Sequence, residues 1–292
     1  MQRSISFLSW VILIVLSLVW GSSFILMKEG LKAFTSDEVA AIRISMASLV
    51  LLPFVYKYRG ISFQKTWKGL VLMGVFGSLL PAFLFTKAET RISSSLTGML
   101  NALTPLFTII LGRLLFGQHF SRNKFIGVAI GFIGAVCLIL FGDDSEDSSN
   151  ILYSLLVVLA TLFYALSVNG IKAFLSDTDS MAATVWSFML TGPVAAVYLF
   201  SSTDFTTHLT RQPHGWASFG FVSILGIVGS AISVVIYNTL IKQAGVVFAA
   251  SCTYLIPVVA IGWGLYDGET VHSLQFVAIG VIILGIWLIN RK

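Results

Sequence analysis

The sequence predicts an all-α integral membrane protein in which ten transmembrane helices form two inverted five-helix repeats. Three observations lead to this fold class: the apolar composition, ten long apolar runs, and an internal repeat. Hydrophobic residues make up 57% of the 292 residues, and charged residues make up only 11%. A soluble domain carries roughly 25% charged residues. Both a soluble globular domain and ordinary disorder are therefore excluded.

The ten apolar runs are each predicted to be a membrane-spanning helix. A helix needs about 20 apolar residues to cross a hydrocarbon layer of about 30 Å. The runs lack the alternation of polar and apolar residues that barrel strands require. The first run continues too far to be a removable signal peptide, so we interpret it as a retained helix. The predicted spans are 5–27, 39–56, 67–86, 92–117, 125–142, 151–171, 181–200, 215–241, 244–266 and 273–289.

The distribution of basic residues predicts the orientation. With a cytoplasmic N-terminus, twelve Lys and Arg residues fall on the cytoplasmic side and five on the other side. Acidic residues divide the opposite way, since only Asp177 and Asp179 lie on the cytoplasmic side. Cytoplasmic loops of membrane proteins are enriched in Lys and Arg. We therefore expect a multi-pass plasma membrane protein with both termini in the cytoplasm.

An internal repeat divides the chain into two halves. The octapeptide at 30–37 matches the one at 170–177 at six of eight positions. Glycines farther along follow in the same order, and Gly74, Gly117 and Gly134 align with Gly226, Gly268 and Gly285. We predict a first five-helix repeat at 1–142, an acidic external linker at 143–150, and a second repeat at 151–292. Because five is odd, the second copy is inverted, as in many secondary transporters.

These features resemble the EamA-type family of the drug/metabolite transporter superfamily over nearly the whole chain. The resemblance rests on Trp20-Gly-Ser-Ser-Phe24, Arg43, Asn101-Ala-Leu-Thr-Pro105, Phe116-Gly117 and the Gly127/Gly134 pair. The second copy matches less well, because Thr161-Leu162-Phe163 replaces the Gly-Ser-Ser segment. The resemblance implies a central substrate cavity, and the residues that it places in the wall are Trp20, Asn101, Tyr164, Tyr237 and Tyr254. For each of them, ordinary packing between helices is the alternative.

Two prolines lie in the middle of predicted spans. Pro105 and Pro257 occupy equivalent positions in the fourth and ninth spans. A proline inside a helix removes one backbone hydrogen bond and breaks or kinks the helix. Such breaks are tolerated beside protein or a watery cavity, so we expect both to face the interior. A packing kink without ligand contact is the alternative.

Arg43 is the charged residue that we place inside a span. A central arginine is costly in a bilayer and needs an anionic partner or a route to the interface. One interpretation is a structural arginine that extends outward to pair with Glu38, Glu89 or a lipid phosphate. The other is a binding site for the carboxylate of a substrate.

Several classes of chemistry lack the residues they need. No Asp or Glu falls in the middle third of a predicted span, so no carboxylate is an obvious proton relay. The sequence contains no P-loop, no metal-ligand pattern and no basic stripe for nucleic acid. We predict no metal, no cofactor, no nucleic-acid partner and no intramembrane enzyme activity.

The predicted function is a secondary transporter in the lipid bilayer that moves a small organic metabolite by alternating access. An amino acid or a derivative is the expected substrate, because aromatic walls with few polar anchors suit molecules of mixed polarity. The resemblance indicates export. A non-transporting sensor or scaffold and a facilitative channel are the alternatives, and the sequence leaves a homodimer open.

Overall fold

The computed structural model describes residues 6–117, 122–141, 149–244, 248–249 and 252–290. Within these ranges all regular structure is helical, and no strand is present. The all-α prediction is confirmed for this part of the chain. Most of the acidic linker predicted at 143–150, including Asp143, Asp144, Glu146 and Asp147, lies outside it.

The helices follow one another with short connections. In chain order they are α1 Phe7–Gly21, α2 Ser23–Leu31, α3 Ser36–Leu51, α4 Phe63–Val71, α5 Leu80–Ala88, α6 Ser94–Asn101, α7 Thr104–Phe116, α8 Arg122–Phe141, α9 Ser149–Phe174, α10 Ser180–Ser201, α11 Phe205–Arg211, α12 Gly215–Ile224, α13 Ser233–Ala244, α14 Cys252–Tyr266 and α15 Ser273–Asn290.

Six continuous helical stretches are long and apolar enough to cross a membrane. Three further apolar helices in the described ranges are shorter, at Ile126–Leu140, Leu255–Tyr266 and Ser273–Leu288. Large apolar side chains cover the outside of the bundle, as at Val197, 68% exposed, and Val277, 63% exposed. An apolar exterior of this kind requires lipid around it. The six long stretches are Phe7–Leu31, Phe63–Ala88, Ser94–Phe116, Asn150–Phe174, Ser180–Ser201 and Gly215–Ile241.

Two wide helical segments interrupt the third and eighth predicted spans. They have π-helical hydrogen bonding, cover eight residues each, and lie at Leu72–Leu79 between α4 and α5 and at Leu225–Ile232 between α12 and α13. We call them the first and second π segments. π-helical turns occur often at functional sites.

Each π segment packs closely against a helix of the other half. A Cβ added at Gly74 would lie 2.6 Å from the Ser187 carbonyl oxygen on α10. A Cβ added at Gly226 would lie 2.6 Å from the Arg43 carbonyl oxygen on α3. These two glycines are equivalent in the predicted repeat. Small residues at such crossings let helix backbones approach each other in a membrane.

Two loops carry the backbone conformation that favours glycine. Among the described residues, positive φ angles occur at Gly117, with φ 62°, and Gly268, with φ 83°. The first ends α7, and the second follows α14. A residue with a side chain is strained in this conformation. The predicted repeat aligns these two positions as well.

The interruption expected at Pro105 is present. Helix α6 ends at Asn101, and α7 begins at Thr104 with Pro105 as its second residue. The Thr104 hydroxyl donates a hydrogen bond of 2.9 Å to the Asn101 carbonyl oxygen. In a continuous helix this oxygen would accept from the backbone N–H of residue 105, but a proline has no N–H. Pro257, in contrast, lies inside α14, which continues from Cys252 to Tyr266. The proline lies in the second turn of that helix, and the helix continues past it.

Candidate functional site

A cavity of about 160 Å³ lies between the two halves of the chain. Its walls come from α1, α2, α3, α5, α6 and α7 on one side and from α9, α13 and α14 on the other. Both π segments also line it, through Met73, Gly77 and Ser78 and through Gly229 and Ser230. The wall is mostly apolar, which is typical of sites for small organic ligands.

Aromatic residues form two of the cavity walls. On one side the Trp20 indole N–H donates a hydrogen bond of 2.9 Å to the Gly229 carbonyl oxygen. The Trp20 ring also meets the Tyr237 ring edge to face, at 5.0 Å between centroids. On the other side Tyr164 stacks on Phe85 at 5.7 Å. Three of the residues predicted for the cavity, Trp20, Tyr164 and Tyr237, therefore lie in its wall.

Arg43 lines the cavity and is the charged residue among its described lining residues. The guanidinium Nε donates a hydrogen bond of 2.8 Å to the Ser230 hydroxyl on the second π segment. Glu38, a partner considered from the sequence, instead lies 2.8 Å from the His208 Nδ1 and also accepts a hydrogen bond from the Thr35 backbone N–H. The guanidinium is consequently directed into the bundle rather than toward Glu38.

Two amide side chains bring hydrogen-bond acceptors into the cavity. Asn101 and Asn238 both line it, and the buried Oδ1 of each has no hydrogen-bond partner among the described residues. The Asn238 Nδ2 donates to the Thr184 hydroxyl at 3.3 Å. A buried polar atom without a partner is costly. Both oxygens are therefore available to a ligand that donates hydrogen bonds.

The remaining residues predicted for the site are Pro105, Pro257 and Tyr254. Pro105 is buried at the start of α7, next to the cavity residue Thr104. Pro257 is buried in α14, next to the cavity residue Ile256. Tyr254 belongs to α14, but its side chain lies outside the described part of the chain.

Asn238 and Phe85 are two of the wall residues that sequence reasoning missed. Asn238 lies three residues from the end of the predicted span 215–241, yet it is 4% exposed and lines the cavity. Phe85 was not singled out in an apolar run with many phenylalanines. The internal repeat does not predict either residue, because the direction of a side chain depends on the rotation of its helix in the bundle.

A cluster of charged residues connects the loop after α14 with α2 and with the start of α6. Glu269, in the loop after α14, accepts hydrogen bonds from the Ser94 and Ser95 backbone N–H groups and from the Ser95 hydroxyl. The Lys28 ammonium lies 2.8 Å from Glu269 and 2.5 Å from Asp267. Burial by itself would raise the pKa of Glu269, but the hydrogen bonds from Lys28 and Ser95 hold this pKa below its usual value.

A comparison with protein families identifies the chain. The sequence model of the EamA-like transporter family matches it twice, over residues 8–140 and 151–291. The chain belongs to the EamA-like transporter family. The resemblance seen in the sequence motifs is thereby confirmed, and membership indicates a multi-pass membrane transporter rather than an enzyme. A membrane transporter implies a lipid bilayer around the chain and a small-molecule substrate.

Curated relatives support the assignment over nearly full length. The "uncharacterized inner membrane transporter YedA" of Escherichia coli is 29% identical over 95% of this chain and 89% of its own length. The "WAT1-related protein At3g02690, chloroplastic" of Arabidopsis thaliana is 26% identical over 98% of this chain and 70% of its own length. A crystal structure with 15% sequence identity superimposes with a TM-score of 0.64 over 96% of this chain and 95% of that chain. At this identity the superposition shows the fold alone.

Proposed function

We propose that this EamA-family member is a secondary transporter that exports an amino acid or an amino-acid derivative across the bacterial plasma membrane. The observation that carries the proposal is the combination, in one cavity, of the Arg43 guanidinium with the unpartnered amide oxygens of Asn101 and Asn238. Family membership supports transport, and the cavity supports the substrate class.

Each part of an amino acid has a chemically suitable partner in the cavity. A guanidinium presents donors that match a carboxylate, and this charged hydrogen bond is among the stronger ones in proteins. Amide oxygens accept hydrogen bonds from an ammonium group. The aromatic rings of Trp20, Phe85 and Tyr237 offer apolar surface to the substrate side chain. A neutral apolar solute would leave the Arg43 charge without a partner.

The proposed mechanism is alternating access by two inverted five-helix repeats, 1–142 and 151–292, joined by the external linker 143–150. Both termini are then cytoplasmic, as the basic residues predict. Support comes from equivalent features in the two halves: π segments of equal length, and positive φ angles at Gly117 and Gly268. In such transporters the substrate site lies at the interface of the repeats, and the cavity is lined by residues of both halves.

Transport into proteoliposomes tests the proposal. Purified protein is reconstituted, and uptake by counterflow is measured for each proteinogenic amino acid. We expect saturable uptake of at least one amino acid, and competition by that amino acid but not by its carboxamide. Arg43→Gln should weaken carboxylate binding by about tenfold or more, since hydrogen bonds to charged groups contribute about 1.5–3 kcal/mol. Arg59→Gln is the matched control, because Arg59 is exposed and outside the cavity.

Three results would contradict the proposal in different ways. If the carboxamide competes as well as the acid, Arg43 does not bind the substrate carboxylate. If no amino acid moves and the protein instead captures a specific protein partner, the scaffold alternative is favoured. Flux that does not saturate and shows no counterflow would indicate a channel.

A further inference from the structure

Glu89 is a buried carboxylate that the structure leaves without hydrogen bonds. It follows the last residue of α5, is 9% exposed, and neither of its carboxylate oxygens has a hydrogen-bond partner among the described residues. Burying an ionised carboxylate without partners is very costly, and such groups avoid the cost by taking up a proton. The sequence pattern does not predict this burial, because Glu89 lies three residues beyond the predicted span 67–86.

The charged and titratable groups around Glu89 come from four elements. Lys28 on α2, Arg43 on α3 and Glu269 in the loop after α14 all act on it electrostatically. Tyr164 on α9 stacks on Phe85, which lies four residues before Glu89. Lys28 is already paired with Asp267 and Glu269. Burial, followed by the Glu269 charge, raises the pKa of Glu89 well above its usual value against the opposing effects of Lys28 and Arg43.

Arg43 connects Glu89 with the cavity. The guanidinium lines the cavity, and its charge favours the ionised form of Glu89. An anionic group bound to Arg43 would offset part of that charge, so that the Glu89 carboxylate loses stabilisation and takes up a proton more readily. Linkage is reciprocal, and protonation of Glu89 therefore strengthens anion binding at Arg43 by the same factor.

We propose that Glu89 is a proton-binding site whose occupancy is coupled, through Arg43, to the binding of the anionic group of the substrate. The inference rests on the proposed transport function. Anion binding raises the fraction of Glu89 that carries a proton: in that fraction one O–H bond forms with a proton taken from the solution, and this bond breaks when the anion leaves. Proton and substrate are carried together, so export requires an outward substrate gradient that is larger than the inward proton gradient.

Infrared spectroscopy tests the proton site without a substrate. The carbonyl stretch of a protonated carboxyl group is measured for the full chain in lipid vesicles as a function of pH. We expect a protonated carboxyl band at neutral pH in the wild type and the loss of this band in Glu89→Gln, which replaces a neutral carboxyl by a neutral group of similar size. Glu29→Gln is the matched control, because Glu29 is paired with Lys32 near the surface. A wild-type spectrum without the band, or with a band that persists in Glu89→Gln, overturns the proposal.

A pH gradient tests the coupling. The probe is the amino acid that shows counterflow in the experiment above. With a gradient of about one pH unit, the wild type should accumulate it up to about tenfold. Glu89→Gln should keep counterflow and lose the accumulation, whereas Glu89→Asp should retain part of it. Unchanged accumulation in Glu89→Gln overturns the coupling. If the wild type moves no amino acid, the transport function fails, and the infrared band still decides whether Glu89 binds a proton.

Discussion

The two halves of the molecule share a scaffold but differ in the charge they bring to the cavity. The first π segment crosses α10 at the Ser187 carbonyl oxygen, and the second crosses α3 at the Arg43 carbonyl oxygen. At the second crossing the first half contributes Arg43, whose guanidinium lines the cavity. At the first crossing the second half contributes Ser187, which is buried and donates a hydrogen bond to the Thr184 carbonyl oxygen. The comparison teaches that the close backbone packing occurs at both crossings, whereas the charge at the cavity comes from one half.

The largest effect is expected where the backbones are closest. Gly226→Ala and Gly74→Ala each place a Cβ 2.6 Å from a backbone oxygen, which cannot move aside as the end of a flexible side chain does. Overpacking of this kind costs about 2 kcal/mol. We expect both variants to lower the midpoint of thermal unfolding in detergent by a similar amount.

Substrate affinity then separates the two glycines. Gly226→Ala displaces the α3 backbone at Arg43 itself, so it should weaken substrate binding more than Gly74→Ala does. Gly220→Ala in α12 is the matched control, because an added Cβ there meets no atom within 4 Å. Equal losses of affinity at Gly226 and Gly74 would show that substrate binding does not depend specifically on the backbone position at Arg43.

A smaller effect is expected at Glu269, which follows Gly268 in one of the two described loops with a positive φ angle. The loop at Gly268 carries Glu269, which caps α6 and pairs with Lys28. Glu269→Gln removes the ionic part of these contacts and should cost about 1.5 kcal/mol at neutral pH. The folded state holds the pKa of Glu269 below its usual value, so its contribution is present above the usual Glu range and is lost as pH falls toward the folded pKa.

The pH profile of unfolding checks this prediction. The stability difference between the wild type and Glu269→Gln should be full near neutrality and should shrink as the solution becomes acidic. Glu29→Gln serves as the control, since it removes a pair between neighbouring turns near the surface. A difference that does not change with pH would mean that Glu269 acts only as a neutral hydrogen-bond acceptor.

Sequence patterns predicted the helical class and the family because lipid imposes them directly. Long apolar runs have to be helices in a bilayer, and the family motifs around Trp20 and Asn101 are local. The π segments were not predictable, since the spacing of Gly74 and Ser78 fits an ordinary helix equally well. The direction of Arg43 depends on the position of Ser230, which is 187 residues away in the chain. The electrostatic surroundings of Glu89 likewise depend on Glu269, in a loop of the other half.

The smallest effect is expected at Trp20, which donates one of the hydrogen bonds that join the first half to the second π segment. The indole N–H donates to the Gly229 carbonyl oxygen at 2.9 Å, and the repeat places no tryptophan at the corresponding position of the second half. Trp20→Phe keeps an aromatic face toward Tyr237 but removes the donor, which should cost about 1 kcal/mol.

Thermal unfolding and substrate competition together measure this effect. A loss of about 1 kcal/mol changes an equilibrium by about fivefold, so affinity should fall by no more than that in Trp20→Phe. Trp216→Phe is the control, because Trp216 is 66% exposed on α12 and lies outside the cavity. A loss of affinity in Trp20→Phe as large as that in Arg43→Gln would instead assign Trp20 a direct hydrogen bond to the substrate, because the contact with Gly229 alone is too weak to account for it.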